Sequence, residues 1–224
     1  MKLSRFDILK IATVLLVFIA GLTASYYILK PKRVLPVYNP SQLDKRLVDE
    51  SIQGKGTGHR TMPFALLNQY GDSVTEMDVA GKIVVADFFF TTCPSICKDM
   101  AIQKRRLQQA FKDDNELILL SHTVTPEIDS VPVMREYGDV QGAIKGKWHL
   151  LTGDKPQIYK LARESYFSVL DEGGNGDEND FIHTENFVLV DTRKRIRGFY
   201  DGTSEKEVNQ LMEDIRILEK ETQN

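Results

Sequence analysis

Cysteine is almost absent from this chain of 224 residues: there are two, Cys93 and Cys97. A framework of several disulfides is therefore excluded, and any thiol chemistry is confined to one place. Tryptophan occurs once, and no broad basic surface is present. Residues 1–33 hold six basic residues and one acidic residue, contributing +5 to the net charge of −3 and leaving the remainder near −8. An acidic body of this kind excludes nucleic acid as an expected partner. Charge is missing altogether from Ile11 to Leu29, a stretch long enough to cross a bilayer. It exceeds the core of an ordinary signal peptide, and no clear small-x-small cleavage site follows it. It reads as an uncleaved membrane anchor over residues 1–33, with a cleaved signal peptide as the alternative. Either one carries the remainder across the membrane. Flanking charge does not decide orientation, since Lys2, Arg5 and Lys10 precede the span and Lys30, Lys32 and Arg33 follow it.

What is present centres on Thr91-Thr92-Cys93-Pro94-Ser95-Ile96-Cys97, directly after the apolar run Ile83–Phe90. Residues four apart share one face of a helix, so the two sulfurs sit one turn apart. That spacing suits two thiolates on one soft metal ion, or a disulfide that opens and closes. A closed loop this short would add little as a structural staple. A helix start beside the pair would favour thiolates through its unpaired N–H groups and its dipole.

Along the chain, residues 34–57 read as a linker and lead-in, broken by Pro36 and Pro40, with Gly54 and Gly56 near its end. Residues 58–224 read as the folded domain. Phe64–Leu67 and Val74-Thr75 flank a Gly-containing turn, giving a β-hairpin. Ile83–Phe90 is a strand covered on both faces. A helix is expected from about Pro94–Ser95 to Lys112, a strand over Leu117–Ser121, and a short helix over Val131–Tyr137 with Pro132 in its first turn. Lys147–Leu151 is a third strand and Lys155–Glu164 a further helix. Residues 171–180 hold three Gly, five acidic residues and no basic one, and read as a solvated loop. Strands over Phe187–Asp191 and Ile196–Tyr200 follow. A final amphipathic helix carries Val208, Leu211, Met212, Ile215 and Leu218 on one stripe, with Ser204 and Glu207 as a capping box. This order gives an α/β thioredoxin-like sandwich with a mixed central sheet and an N-terminal hairpin, preceded by one transmembrane helix. The cysteine pair lies at a strand's carboxyl end, where open α/β sheets bind ligands.

Three residues between the cysteines widen the pair from disulfide contact toward the span of a coordinated metal. Two thiolates hold Cu(I), and an imidazole would complete a site suited to copper or zinc. Four histidines are available. His59 reads as a solvated loop residue, and His122 and His149 as structural. His183, between the acidic loop and a strand, is as well placed to be a ligand as not. Asp177, Glu178 and Asp180 form either an acidic rim near the metal or a solubilising loop. Asp87 reads as a satisfied polar core residue, with tuning of the Cys93 thiol as the other option. Phe88, Phe89 and Phe90 are core.

Gly81-Lys82, the strand and Phe90–Cys97 together resemble the Sco/SenC family of copper-binding, membrane-anchored assembly proteins. The likeness continues through Ser121–Pro126, Trp148–Gly153, His183-Thr184, Leu189–Asp191 and Gly202-Thr203. The resemblance implies a thioredoxin-like fold and copper ligands Cys93, Cys97 and His183. It implies delivery of copper to the cytochrome c oxidase subunit with the binuclear copper site, or thiol–disulfide upkeep of that site, with the domain extracytoplasmic (periplasmic in a bacterium). Two positions depart from the family pattern: Lys98 replaces a proline, and Ile182 replaces an acidic residue before the histidine. The rival readings are a thiol–disulfide oxidoreductase using Cys93 and Cys97 on cysteine pairs of other proteins, and a peroxide-reducing thiol enzyme.

Overall fold

A computed structural model describes residues 5–29, 33–49, 51–54, 56–93, 96–170, 182–183 and 185–222, with backbone alone for 5, 7–9, 27–28, 169–170 and 182–183. The chain forms two compact units, Met1–Val34 and Leu35–Asn224. The first is the helix α1, Arg5–Leu29. Its large apolar side chains, among them Val14, Leu16, Val17 and Phe18, are exposed. Among the described residues no helix is long and apolar enough to cross a membrane. The side chains of α1 are described without a break only over residues 10–26, which is less than the helix's full length.

The second unit is built on a mixed seven-stranded sheet in the order β2-β1-β5-β4-β3-β8-β9. The strands are β1 (Ala65–Asn68), β2 (Ser73–Thr75), β3 (Ile83–Phe89), β4 (Leu117–Thr123), β5 (Trp148–Thr152), β8 (Asn186–Val190) and β9 (Ile196–Asp201). The central strands β3, β4 and β5 run parallel. The hairpin β1–β2 and the strands β8 and β9 are antiparallel to their neighbours. The helices are α2 (Ile96–Ala110), α3 (Val131–Gln141), α4 (Lys155–Lys160) and α5 (Glu205–Thr222), with a π turn over Leu161–Ser165. A separate two-residue ladder pairs β6 (Val169–Leu170) with β7 (Ile182–His183).

Strand alternation divides the core between the two sheet faces. Ile83, Val85 and Phe89 join Met100 and Leu107 of α2 and Val208, Leu211 and Ile215 of α5 on one face. Val84, Ala86 and Phe88 join Ile158, Leu161 and Phe167 on the other. Both cysteines lie in the first cluster. The hairpin, the three parallel strands and the terminal helix stand where the sequence places them. Ser204 Oγ accepts from the backbone N–H of Glu207 at 3.4 Å, while the Glu207 carboxylate accepts from the N–H of Asp201 at 2.7 Å.

Two local expectations change. Residues 34–57 are no loose connection: Leu35, Val48 and Ile52 are buried. The buried Arg197 donates to the carbonyls of Leu35 (2.8 Å) and Pro36 (2.9 Å), fastening this segment to β9. His59 is not a solvated residue either. Its ring lies 4.6 Å from that of Phe167, and its Nε2 is 2.9 Å from the carbonyl of Ser165.

Candidate metal centre

The cysteine pair is delivered by β3 and held by the first turn of α2. After Phe89 the chain turns through Thr91 and Thr92, and this turn is pinned by the fully buried Asp129. The Asp129 carboxylate accepts from the Thr91 N–H at 3.2 Å, from Thr125 Oγ1 at 3.1 Å, and from the hydroxyls of Thr91 and Thr123. Such a charged acceptor with four donors fixes a loop that has no other regular structure. Cys93 follows, its N–H donating to the Phe90 carbonyl at 3.3 Å.

Cys93 and Cys97 are both buried and are not joined by a disulfide. The Cys97 N–H, in the first turn of α2, donates to Cys93 Sγ at 3.4 Å. A helix N-terminal donor is thus aimed at the first sulfur, the arrangement expected to favour its thiolate. The second sulfur behaves otherwise. Burial, the side-chain hydrogen bond with Cys93 and the neighbouring Cys93 charge push the Cys97 thiol up to about 12, against the opposing pull of a Phe90 backbone hydrogen bond and Lys104. The expectation that the helix start favours both thiolates therefore fails at Cys97, where desolvation outweighs the dipole. Tyr137 packs nearby with its ring 5.4 Å from that of Phe89. Burial first, then the charges of Cys97, Asp87 and Cys93, raise its phenol well above the usual range.

Beneath the pair lies a polar cluster that the sequence reading only half anticipated. Asp87 and Ser121 face each other across the β3–β4 ladder, on the face covered by α2. Ser121 Oγ donates to Asp87 Oδ1 at 2.8 Å. Lys104 of α2 forms an ion pair with Asp87 and donates to Ser121 Oγ at 2.7 Å, and Trp148 Nε1 donates to the same hydroxyl at 2.8 Å. The ammonium also lies 5.5, 5.0 and 5.7 Å from the ring centroids of Phe89, Trp148 and Phe187. Asp87 is accordingly a satisfied core residue, but satisfied by a buried cation. The helical spacing Cys97, Met100, Ala101, Lys104, Leu107 carried the signal, since it places Lys104 on the buried face of α2.

The histidines separate clearly. His122 is fully buried, with its ring stacked 5.0 Å from Phe88 and close to Phe64 and Tyr166. His149 is half-buried on β5. Neither is brought to the sulfurs in any metal-binding group among the described residues, where no cluster of three or more His, Cys, Asp or Glu is assembled. His183 is described by its backbone, which pairs with Val169. It lies three residues before β8, and the antiparallel register Val84↔Val190 to Ala86↔Val188 brings the start of β8 to the carboxyl end of β3. The chain therefore enters β8 at the end of the sheet from which Cys93 leaves β3. The side chain of His183, the Ile182 side chain and the expected rim of Asp177, Glu178 and Asp180 lie outside the described residues. Lys98 is an exposed residue in the first turn of α2.

The donor chemistry of this centre is soft. Two sulfurs in hydrogen-bonding contact, within an apolar cluster, suit a thiophilic ion and offer nothing to a hard cation that needs several oxygens.

Comparison with known proteins agrees with this geometry. Residues 53–218 match the SCO1/SenC family. The SCO1 protein homolog of Bacillus subtilis (strain 168) is 26% identical over 156 residues, covering 69% of this chain and 80% of that protein. The crystal structure of a SCO1/SenC family lipoprotein from Bacillus anthracis superposes with a TM-score of 0.63 at 27% identity, over 74% of this chain and 98% of that one. BsSco, a member of the Sco family of cytochrome c oxidase assembly proteins in which a disulfide switch was identified, gives a TM-score of 0.60 at 25% identity, over 73% and 95%. Copper-bound ScoI of Bradyrhizobium japonicum shares the fold, with a TM-score of 0.56 at 23% identity over 71% and 99%. On the family match across most of its second unit, this chain belongs to the SCO1/SenC family.

Proposed function

We propose that this protein is a membrane-anchored copper carrier of the Sco type, with Cys93, Cys97 and His183 as the ligands. Its acceptor would be the cytochrome c oxidase subunit with the binuclear copper site. The observation that carries this reading is the buried sulfur pair, one helical turn apart, with the N–H of Cys97 on Cys93 Sγ. Copper bound to the related ScoI, and the description of BsSco as belonging to a family of oxidase assembly proteins, support copper as the cargo and the oxidase as the destination.

Binding of Cu(I) displaces the thiol protons, and the proton on Cys97 is the costly one because its pKa stands at about 12. Metal capture therefore weakens as pH falls. Two thiolates and one imidazole leave the ion with few ligands, so an acceptor sulfur can enter and take it over. Asp129 and the helix donor keep Cys93 in place while this happens.

Anchoring rests on α1. A helix of 25 residues is roughly 37 Å long at 1.5 Å per residue, enough for a hydrocarbon core of about 30 Å. Its charge-free run and exposed apolar side chains have no covering surface in water. The catalytic domain would then face the extracytoplasmic side, where an oxidase copper site is assembled.

A second reading is favoured by the same contact between the sulfurs and by the disulfide switch of BsSco: thiol–disulfide exchange with a cysteine pair on a partner protein. Copper titration of the reduced full-length protein against a chromophoric Cu(I) chelator separates the two. One copper per chain, lost in Cys93→Ser and Cys97→Ser and weakened at least tenfold in His183→Ala, is the result expected of a carrier. Equal binding with and without His183 refutes the ligand set.

A further inference from the structure

The Asp87–Lys104 pair is unaccounted for by copper ligation or by the needs of the core. Both groups are buried, at 1% and 3% exposure. Replacing such a pair with apolar residues of similar volume is often neutral or stabilising, so stability alone does not explain it. Position does more. Lys104 lies seven residues after Cys97 in α2, two turns along the same face. Helical side chains lean toward the N-terminus, which carries the Lys104 stem in the direction of Cys97. The ring of Phe89, against which the ammonium rests, belongs to the same packed cluster as both cysteines. Asp87 on β3, Ser121 on β4 and three aromatic rings hold the charge where it is.

We infer that Lys104 is an electrostatic positioning residue of the sulfur site: its ammonium, anchored by Asp87, is a fixed positive charge that offsets the negative charge the two sulfurs acquire on losing their protons. The inference deepens the proposed function and rests on it for its purpose, but its physical content concerns the sulfurs alone. Two thiolates with one monovalent cation and a neutral imidazole carry a net negative charge into an apolar cluster. A cation held in place beforehand lowers that cost without reorganising. The mutual support of charge on Lys104 and Cys97 is consistent with this arrangement.

The test is the exchange equilibrium of full-length protein in detergent micelles with glutathione, in which protein disulfide and two reduced glutathione molecules give protein dithiol and one glutathione disulfide. Asp87→Asn/Lys104→Met removes both charges and keeps the volume. It is expected to shift the equilibrium constant toward the protein disulfide by about tenfold, equivalent to a potential lower by about 30 mV. Asp191→Asn/Arg197→Met, which removes a different buried ion pair, is the control and should stay within twofold of wild type. A constant for the first variant within twofold of wild type overturns the inference, as does an equal shift in the control. If the first variant does not fold, Asp87→Asn alone, which keeps the ammonium and deletes its counter-charge, must move the constant the other way, and a shift toward disulfide refutes the assignment. No copper enters this equilibrium. A wild type that binds no copper but shows these shifts would overturn the carrier reading alone.

Discussion

Cys97 sits in the first turn of α2, where a helix dipole favours a thiolate, yet burial against Cys93 raises its pKa to about 12. Magnitude decides between the two effects: a dipole contributes typically 0.3–1 kcal/mol, roughly half a pKa unit, whereas desolvation shifts buried groups by up to about 3–5 units. Alkylation of Cys97 by iodoacetamide at pH 8 should therefore run about a thousandfold slower than that of an ordinary thiol, through its smaller thiolate fraction. Mass spectrometry of the peptide containing Cys97 reads this directly, and labelling at the rate of a free thiol would contradict it. His122 offers a second test. Burial lowers its pKa to about 4, so in the folded state it stays neutral while the unfolded chain takes up a proton below about 6.5. Stability is thus retained above pH 6.5 and lost as pH falls from there toward 4, by about 3 kcal/mol in all. His122→Leu should flatten that part of the urea-unfolding profile, and an unchanged acid slope would refute it. The sequence reading reached the cysteines, Asp87 and His122 because each breaks or ends an apolar run. It did not single out Lys104, because its significance depends on Asp87, which is 17 residues away in the chain and adjacent only after β3 and α2 have packed.

At the level of elements, the Thr91–Cys93 turn owes its shape to one carboxylate on the far side of β4. Asp129→Asn leaves two threonine hydroxyls and a backbone N–H with a weaker acceptor, and should cost about 2–3 kcal/mol in urea unfolding. The loss should be accompanied by faster hydrogen exchange at the Thr91 amide, and unchanged exchange there would show that the turn is held by something else. The return into β8 is equally constrained. A Cβ at Gly202 would come within 2.9 Å of the Glu185 carbonyl and 2.8 Å of the Phe187 ring. Gly202→Ala should therefore force the β8–β9 pair apart just after His183, costing about 1–3 kcal/mol, and a variant as stable as wild type would contradict this. Long elements were readable because β3, α2 and α5 each repeat one period over several residues. The β6–β7 ladder was not, since two residues per strand display no alternation. The 3-10 turns over Pro40–Gln42 and Lys45–Leu47 were hidden by prolines and glycines whose local signal is that of a loop, although Val48 and Ile52 nearby are packed.

For the molecule as a whole, the family pattern and the element order point to the same frame, an α/β sandwich that presents a sulfur pair at the carboxyl end of its central strand. Deleting residues 1–34 should move the protein from the membrane fraction to the soluble fraction, and persistence in the membrane would contradict anchoring by α1. Copper itself gives the most direct test of the central claim. X-ray absorption at the copper edge of the reduced, Cu(I)-loaded full-length protein should show two sulfurs and one nitrogen around each ion, with the nitrogen lost in His183→Ala. A spectrum without sulfur, or one that keeps its nitrogen in that variant, would contradict the site assigned to Cys93, Cys97 and His183.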